Sequence, residues 1–415
     1  MRHLPQVMAA ATPDASEEAL GRLLAHCRAE NWAGYDPYDA LNSNWLRVLP
    51  FLDSRLPRLA LTQLLKRSPV NPRRWLLIPK RQNAKALGLF LAALLKLERA
   101  GVAGAGEEVE SLFDRIRALR SPGMEPWCWG YSFPWQTRTI IVPAGAPNLV
   151  CTVFVAEALL DYYEQKRLPE ALEMAASAAT FLRGLYWAEG GKAAFAYPQP
   201  SVHTPVYNAN LIAAAFLGRV ARHTGDASLL APAMTAARYS AAAQMTDGSW
   251  HYGEGAKQRW IDNFHTGFNL CALRQLGDEL RTDEFAAALS RGFQFYVARF
   301  LRPDGAVRYF HDRDWPVDAH CVAQSVLTLV KLRDQLPEGE ALERARAVIG
   351  WALGRLWDPR GYFYYRAGRR TTVRIPYMRW SQSWMLLALT DYVVAASRRR
   401  DDQRSLRLAM SGASA

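Results

Sequence analysis

Apolar and polar positions along the chain repeat on a scale much longer than one helix. Six segments share a layout: a polar or aromatic start, a run of small and apolar residues, and an Ala/Leu-rich end. They are QNAKALGLFLAALLKL from Gln82, PNLVCTVFVAEALLDYYE from Pro147, YNANLIAAAFLGRVARH from Tyr207, DNFHTGFNLCALRQL from Asp262, DAHCVAQSVLTLVKL from Asp318 and RWSQSWMLLALTDYV from Arg379. Aligned on Lys96, Asp161, Arg219, Gln275, Lys331 and Asp391, they recur at steps of 65, 58, 56, 56 and 60 residues, and self-similarity at a near-constant period marks a repeat architecture. Amphipathic stretches lie between them at 107–119, 170–186, 228–245, 282–300 and 340–357. A sixth, 16–30, starts at Ser16, a natural cap, with Glu17 and Glu18 in its first turn.

The two classes differ as a double-layered ring requires. The first is apolar nearly all round, as a helix packed on every side must be, whereas the second carries charged stripes such as Glu340, Glu343, Arg344 and Arg346. The pattern predicts an all-α chain, an (α/α)6 toroid or barrel of six helical hairpins with long aromatic loops on one rim. The expected bounds are a flexible 1–15, a single toroid domain over 16–397 and a disordered basic tail over 398–415. Closure removes the exposed terminal repeats of an open solenoid. That solenoid is the alternative, with the Pro- and Trp-rich segment 31–80 as a cap instead of a lid.

Counting back from the aligned ends places the starts of the inner helices at Asn83, Asn148, Val206, Asp262, Asp318 and Met378, with Tyr207, Asn208, Asn263, His320, Arg379 and Trp380 close behind. If all six run in one direction, these starts share a rim. Unpaired helical N–H groups and the positive ends of the macrodipoles there favour oxygen-rich or anionic ligands. The loops arriving at this rim read EPWCWGYSFPWQTR, FAYPQPSVHTPVYN, GSWHYGEGAKQRWIDN, GAVRYFHDRDWPVDAH and GYFYYRAGRRTTVRIPYMRW. Flat aromatic faces beside hydrogen-bonding groups suit a pyranose ring, although aromatic loop residues also serve as hydrophobic plugs. The expected binding set is Trp129, Tyr131, Trp135, Gln136, Asn148, His203, Asn208, His251, Trp260, Asn263, His320, Tyr377, Arg379 and Trp380.

Composition narrows the function classes. Among 415 residues, 51 Lys and Arg against 39 Asp and Glu leave a formal charge of +12, part of it in the tail arginines Arg398, Arg399, Arg400, Arg404 and Arg407. No basic recognition helix accompanies this charge, so nucleic acid is not an expected partner. An oligosaccharide, an anionic sugar or a lipid-linked glycan is. The odd set Cys27, Cys128, Cys151, Cys271 and Cys321 has no C-x-x-C spacing, so neither a disulfide framework nor a zinc site is expected. The first twenty residues are broken by Pro5, Gln6 and Pro13 and read poorly as a signal peptide. The longest apolar stretches are too short for a bilayer; a cytoplasmic protein without cofactor or metal is expected.

For chemistry, Asp262 and His265 stand three apart and share one helix face. A carboxylate beside an imidazole tunes a general acid or base; equally, Asp262 reads as an N-cap and His265 as a first-turn structural residue. Asp318 with Asp262 across the rim would make a carboxylate pair of the kind that hydrolyses glycosides. Tyr207, Tyr131 and His203 are further acids or bases, the first counted with Asp262, His265 and Asp318 as catalytic. Arg379, Arg138 and Lys80 suit a carboxylate or phosphate.

Two resemblances follow from particular residues. Gln244-x-x-x-Gly248-x-Trp250 is similar to the Q-x-x-x-G-x-W repeat of triterpene cyclases, with PDGAVRY and PRGYFYY as echoes, but the acidic D-x-D-D motif of that family is absent. It implies toroid architecture without terpene chemistry. The segments YDPYDALNS, LLKRSPVNPR, WGYSFPWQ, PNLVCT, YNANL and WIDNFHTGF resemble uncharacterised α/α-toroid proteins of bacterial exopolysaccharide, capsule and lipopolysaccharide clusters. More distantly the chain resembles toroid glycosidases, lyases and epimerases. These imply a carbohydrate-active protein of polysaccharide biosynthesis using acid/base chemistry of hydrolase, lyase or epimerase type. A non-catalytic glycan-binding scaffold and a terpene-cyclase-like enzyme are the alternatives.

Overall fold

The computed structural model describes residues 13–49, 54–102, 104–136 and 141–412. Its helices are α1 (Pro13–Ala29), α2 (Trp45–Val48), α3 (Arg55–Arg67), α4 (Ala84–Arg99), α5 (Ala105–Ala118), α6 (Leu149–Lys166), α7 (Pro169–Arg183), α8 (Tyr207–Thr224), α9 (Leu230–Ala242), α10 (Asn263–Leu280), α11 (Ala286–Phe300), α12 (Ala319–Lys331), α13 (Glu340–Arg355) and α14 (Ser383–Gly412), the last preceded by a π turn at Met378–Gln382. Short antiparallel strand pairs, such as Tyr186–Glu189 with Lys192–Phe195, sit in the loops.

Helices α4, α6, α8, α10, α12 and α14 form the inner ring and α5, α7, α9, α11, α13 and α1 the outer one. The inner ring closes: α14 packs on α4, and Lys96 pairs with Asp391 across the junction. The chain is therefore the (α/α)6 toroid and not the open solenoid. The expected starts hold nearly to the residue. Asn83, Asn148, Asp262 and Asp318 are N-caps whose side chains accept backbone N–H bonds, and Val206 and Tyr377 occupy the same position without a side-chain bond.

Two boundaries differ from expectation. Helix α1 begins at Pro13, leaving Ser16 buried inside it rather than capping it, because proline's fixed φ suits a first helical turn. Helix α14 continues to Gly412, where a disordered tail was expected from 398; no Pro or Gly intervenes between Ser383 and Gly412 to stop it.

The cyclase-like motif is a packing device. Gln244 Nε2 donates to the carbonyls of Gly248 (3.0 Å) and Ala288 (2.9 Å), tying α9 to α11. Gly248, at φ +90°, lies so close to α11 that a Cβ there would meet the Arg291 carbonyl at 2.3 Å, and the buried Trp250 indole donates to Ser240 O at 3.0 Å. Gly305 of the first echo repeats the arrangement against α13, with φ +82° and the Ala347 carbonyl 2.4 Å from a built Cβ.

The ring has a solid middle. Phe154, Phe268 and Trp384 project from α6, α10 and α14, every second inner helix, and meet with ring centres 5.1–5.5 Å apart. Three rings converging from alternate helices meet on the axis, about two turns below the helix starts. This aromatic septum separates the rim of inner-helix N-termini from the rim of C-termini.

Candidate active site

At the N-terminal rim the cap of α10 carries the sharpest chemistry. Asp262 Oδ1 accepts the His265 backbone N–H at 3.0 Å, as an N-cap does. Its Oδ2 accepts the Trp260 indole N–H at 2.8 Å and lies 2.7 Å from His265 Nδ1. A carboxylate at Nδ1 fixes the proton there and leaves Nε2 as the lone-pair nitrogen. The Asp262 side chain is 1% exposed and that of His265 21%, so the imidazole is the member that solvent reaches. Tyr252 stacks on Trp260 at 4.5 Å and 13°, and its ring also lies 4.5 Å from His265.

The cap of α12 repeats the arrangement. Asp318 accepts from His320 N–H at 2.8 Å, from the Trp380 indole at 3.0 and 3.1 Å, and from Arg366 at 3.4 Å. Burial raises its carboxyl above the usual range, with Arg366 opposing. Both rim carboxylates thus accept from an indole and from a backbone N–H. His320 is sandwiched between Phe264 (4.5 Å) and Trp384 (4.4 Å). Neither of its ring nitrogens has a hydrogen-bond partner among the described residues. Burial, with Lys85, His265 and Arg379 nearby, holds it well below the usual imidazole range and therefore neutral.

A third group completes the rim. Arg379, projected by the π turn, makes a bidentate pair with Asp36 (2.6 and 2.8 Å) while its guanidinium lies 4.9 Å from the Tyr131 ring centre. Through this pair, the Tyr38–Trp380 contact at 5.7 Å and the Asn42 bond to Ser132 O at 3.3 Å, the described residues of segment 31–80 pack over the N-terminal rim as a lid. Lys85, 4% exposed, holds its amine 4.3 Å from Phe154, 5.1 Å from Trp384 and 5.8 Å from Phe268, on the septum. Burial and then the charge of Arg379 bring its amine down to about 7. Burial also pushes the Tyr197 phenol up to about 12 and those of Tyr131 and Tyr252 well above the usual value.

The structure thus brings Asp262, His265, Trp260, Asp318, His320, Trp380, Arg379 and Tyr131 together. Asn208 and His251 line a small pocket against the dyad, where the buried Oδ1 atoms of Asn208 and Asn269 accept no bond among the described residues. Other residues are placed elsewhere. Trp129 is fully buried and donates to Ile116 O (2.9 Å). Asn263 turns to Ser325 (3.1 Å) and Tyr296 (2.8 Å). Asn148 caps α6, and Tyr377 is buried under Arg73 at 4.9 Å. His203 is exposed and stacks on Trp187, and Trp135 and Gln136 form a short strand with Ile141–Val142. The Tyr207 phenol has Glu254 and Arg259 as its charged neighbours instead of the dyad. Lys80 pairs with Glu30, and Arg138 lies outside the described residues.

Sequence reasoning missed Lys85, Asp36, Tyr252 and Tyr197 as rim residues. Lys85 had a signal, as the lone charge between Ala84 and Leu95 of an otherwise apolar inner helix. Asp36 had none, since its partner Arg379 lies 343 positions away.

A further cavity lies on the other side of the septum from the expected pocket. A volume of about 1040 Å³ opens at the C-terminal rim, lined by Leu89, Phe154, Ile212, Phe268, Leu327 and Trp384 and ringed by charged residues. Among the described residues no helix is long and apolar enough to cross a membrane.

No family model and no curated protein matches the chain. Solved structures do. A sugar epimerase from a ruminal bacterium aligns over 76% of this chain and 88% of its own, with TM-score 0.60 and 12% identity. The unsaturated glucuronyl hydrolase of Bacillus sp. GL1 aligns over 91% and 96%, with TM-score 0.60 and 14% identity. A family 76 alpha-mannanase of Bacteroides thetaiotaomicron aligns over 77% and 87%, with TM-score 0.58 and 12% identity. At these identities the likeness establishes the shared six-hairpin toroid fold.

Proposed function

We propose that this chain is a carbohydrate-active enzyme that moves a proton at a sugar carbon, an epimerase or isomerase in type, with His265 as the base. The carrying observation is the 2.7 Å contact between His265 Nδ1 and Asp262, which directs the lone pair of Nε2 away from the carboxylate. In an open-chain sugar that nitrogen takes the proton from the carbon beside the carbonyl. Return of a proton to the other face gives the epimer; return to the neighbouring carbon gives the isomer. Lys85, with an amine near 7, supplies positive charge or a proton for the enediolate. The stacked Tyr252 and Trp260 give a flat face for the sugar. The engaged Asp262 and Asp318 carboxylates weigh against glycoside hydrolysis, and the similarity to a sugar epimerase supports the sugar reading. A setting in cytoplasmic polysaccharide biosynthesis, with an oligosaccharide that keeps a free reducing end as substrate, is part of the proposal and rests on the segment resemblances; a lipid-linked glycan, locked at its anomeric carbon, does not suit this step.

The test is incubation with reducing mono- and disaccharides in D2O. Deuterium at the carbon beside the carbonyl and a new epimer or ketose are expected, and both should vanish in His265→Asn. Exchange that survives this substitution, or release of free sugar without exchange, overturns the reading.

A further inference from the structure

The cavity of the C-terminal rim plays no part in the chemistry above, because the septum closes its floor. Its depth is apolar: Phe154, Phe268 and Trp384 below, Leu89, Ile212 and Leu327 around. Its mouth is charged, and the two signs are treated differently. Of the carboxylates there, Asp391 is held by Lys96, Glu157 and Asp161 by Arg219, and Asp334 by Arg274, so that Glu338 alone has no cationic partner among the described residues. Three cations have only neutral partners among the described residues: Arg99 on Gln165 (3.1 Å), Lys331 on Gln275 (3.3 Å) and Arg333 on Val330 O (3.2 Å). Arg398 and Arg399 of α14 complete the ring. Helix C-termini repel an anion, so the mouth accepts one only through these side chains. An apolar well beneath a cationic collar matches one ligand chemistry.

We propose that the C-terminal rim binds an anionic amphiphile, an alkyl or prenyl chain bearing one phosphate or carboxylate, with its tail on the septum and its head among Arg99, Lys331 and Arg333. The tail is held by burial, which strengthens with every methylene, and the head by charge, which salt screens.

The experiment is calorimetric titration of the full chain with hexyl, octyl and decyl phosphate below their micellar concentrations. Decanol, inorganic phosphate, decanoate and geranyl phosphate are titrated alongside. Affinity should rise roughly tenfold per two methylenes, and decanol and inorganic phosphate should bind at least about tenfold more weakly than decyl phosphate. The double variant Lys331→Glu/Arg333→Glu should loosen decyl phosphate by about tenfold or more, and Ala92→Phe, which fills the well, should shorten the longest chain that gains affinity. Thermal unfolding confirms that each variant is folded. Stronger binding of geranyl phosphate supports the site and assigns its tail to isoprenoids; stronger binding of decanoate supports it and assigns fatty acids. Decyl phosphate binding no better than inorganic phosphate, or equally well to a folded charge-reversed variant, overturns the proposal. Sugar proton exchange at the opposite rim should be unchanged in these variants, so the two readings fail separately.

Discussion

At the scale of single residues, the rim is built by side chains with two duties. Asp262 caps α10 and orients His265, so Asp262→Asn should keep the cap while removing the charge that fixes the imidazole tautomer. Proton exchange should fall roughly a hundredfold or more with little change in melting temperature. Lys85 makes a different prediction, through pH. Its folded value, near 7, lies below its ordinary 10.5, so the folded chain binds the proton less tightly than the unfolded one. The cost of burying the charge is full below pH 7 and disappears as pH rises toward 10.5. Lys85→Met should therefore be more stable than the parent by a few kcal/mol at pH 6, and the gap in denaturant midpoints should close between pH 7 and 10. A constant gap would show that the amine is not desolvated. The dyad was legible because three-residue spacing forces Asp262 and His265 onto one face; the indole that occupies Asp318 was not, since Trp380 reaches it from 62 positions away.

At the scale of elements, helix starts were readable because capping is local chemistry, and Asn83, Asn148, Asp262 and Asp318 carry it in their own side chains. What covers those starts was not readable, because the lid is held by contacts between the two ends of the chain. Asp36→Ala leaves the Arg379 charge buried and unpaired and should cost roughly 3–5 kcal/mol, whereas Asp36→Leu with Arg379→Met should recover much of it; chemical denaturation and protease cleavage within 31–80 measure both. The glycines separate in the same way. Gly248→Ala forces a side chain into the Arg291 carbonyl at positive φ and should cost roughly 2–4 kcal/mol. Gly21→Ala, on the open face of α1, should gain roughly 0.5–1 kcal/mol.

At the scale of the whole molecule, six repeats of one pattern determined closure, and α14 on α4 completes it. Low-angle scattering should give a radius of gyration of about 22 Å for a compact chain of this length; a clearly larger value would mean an open arc. The resulting body has two ends of opposite character and a stopper between them. Because Phe154, Phe268 and Trp384 touch on the axis, a polymer cannot be drawn through this ring as thread through a bead. Whatever enters from either side must leave by the way it came, so under the proposed function a long glycan would present only a terminus or a short branch and would turn over by single visits rather than by sliding.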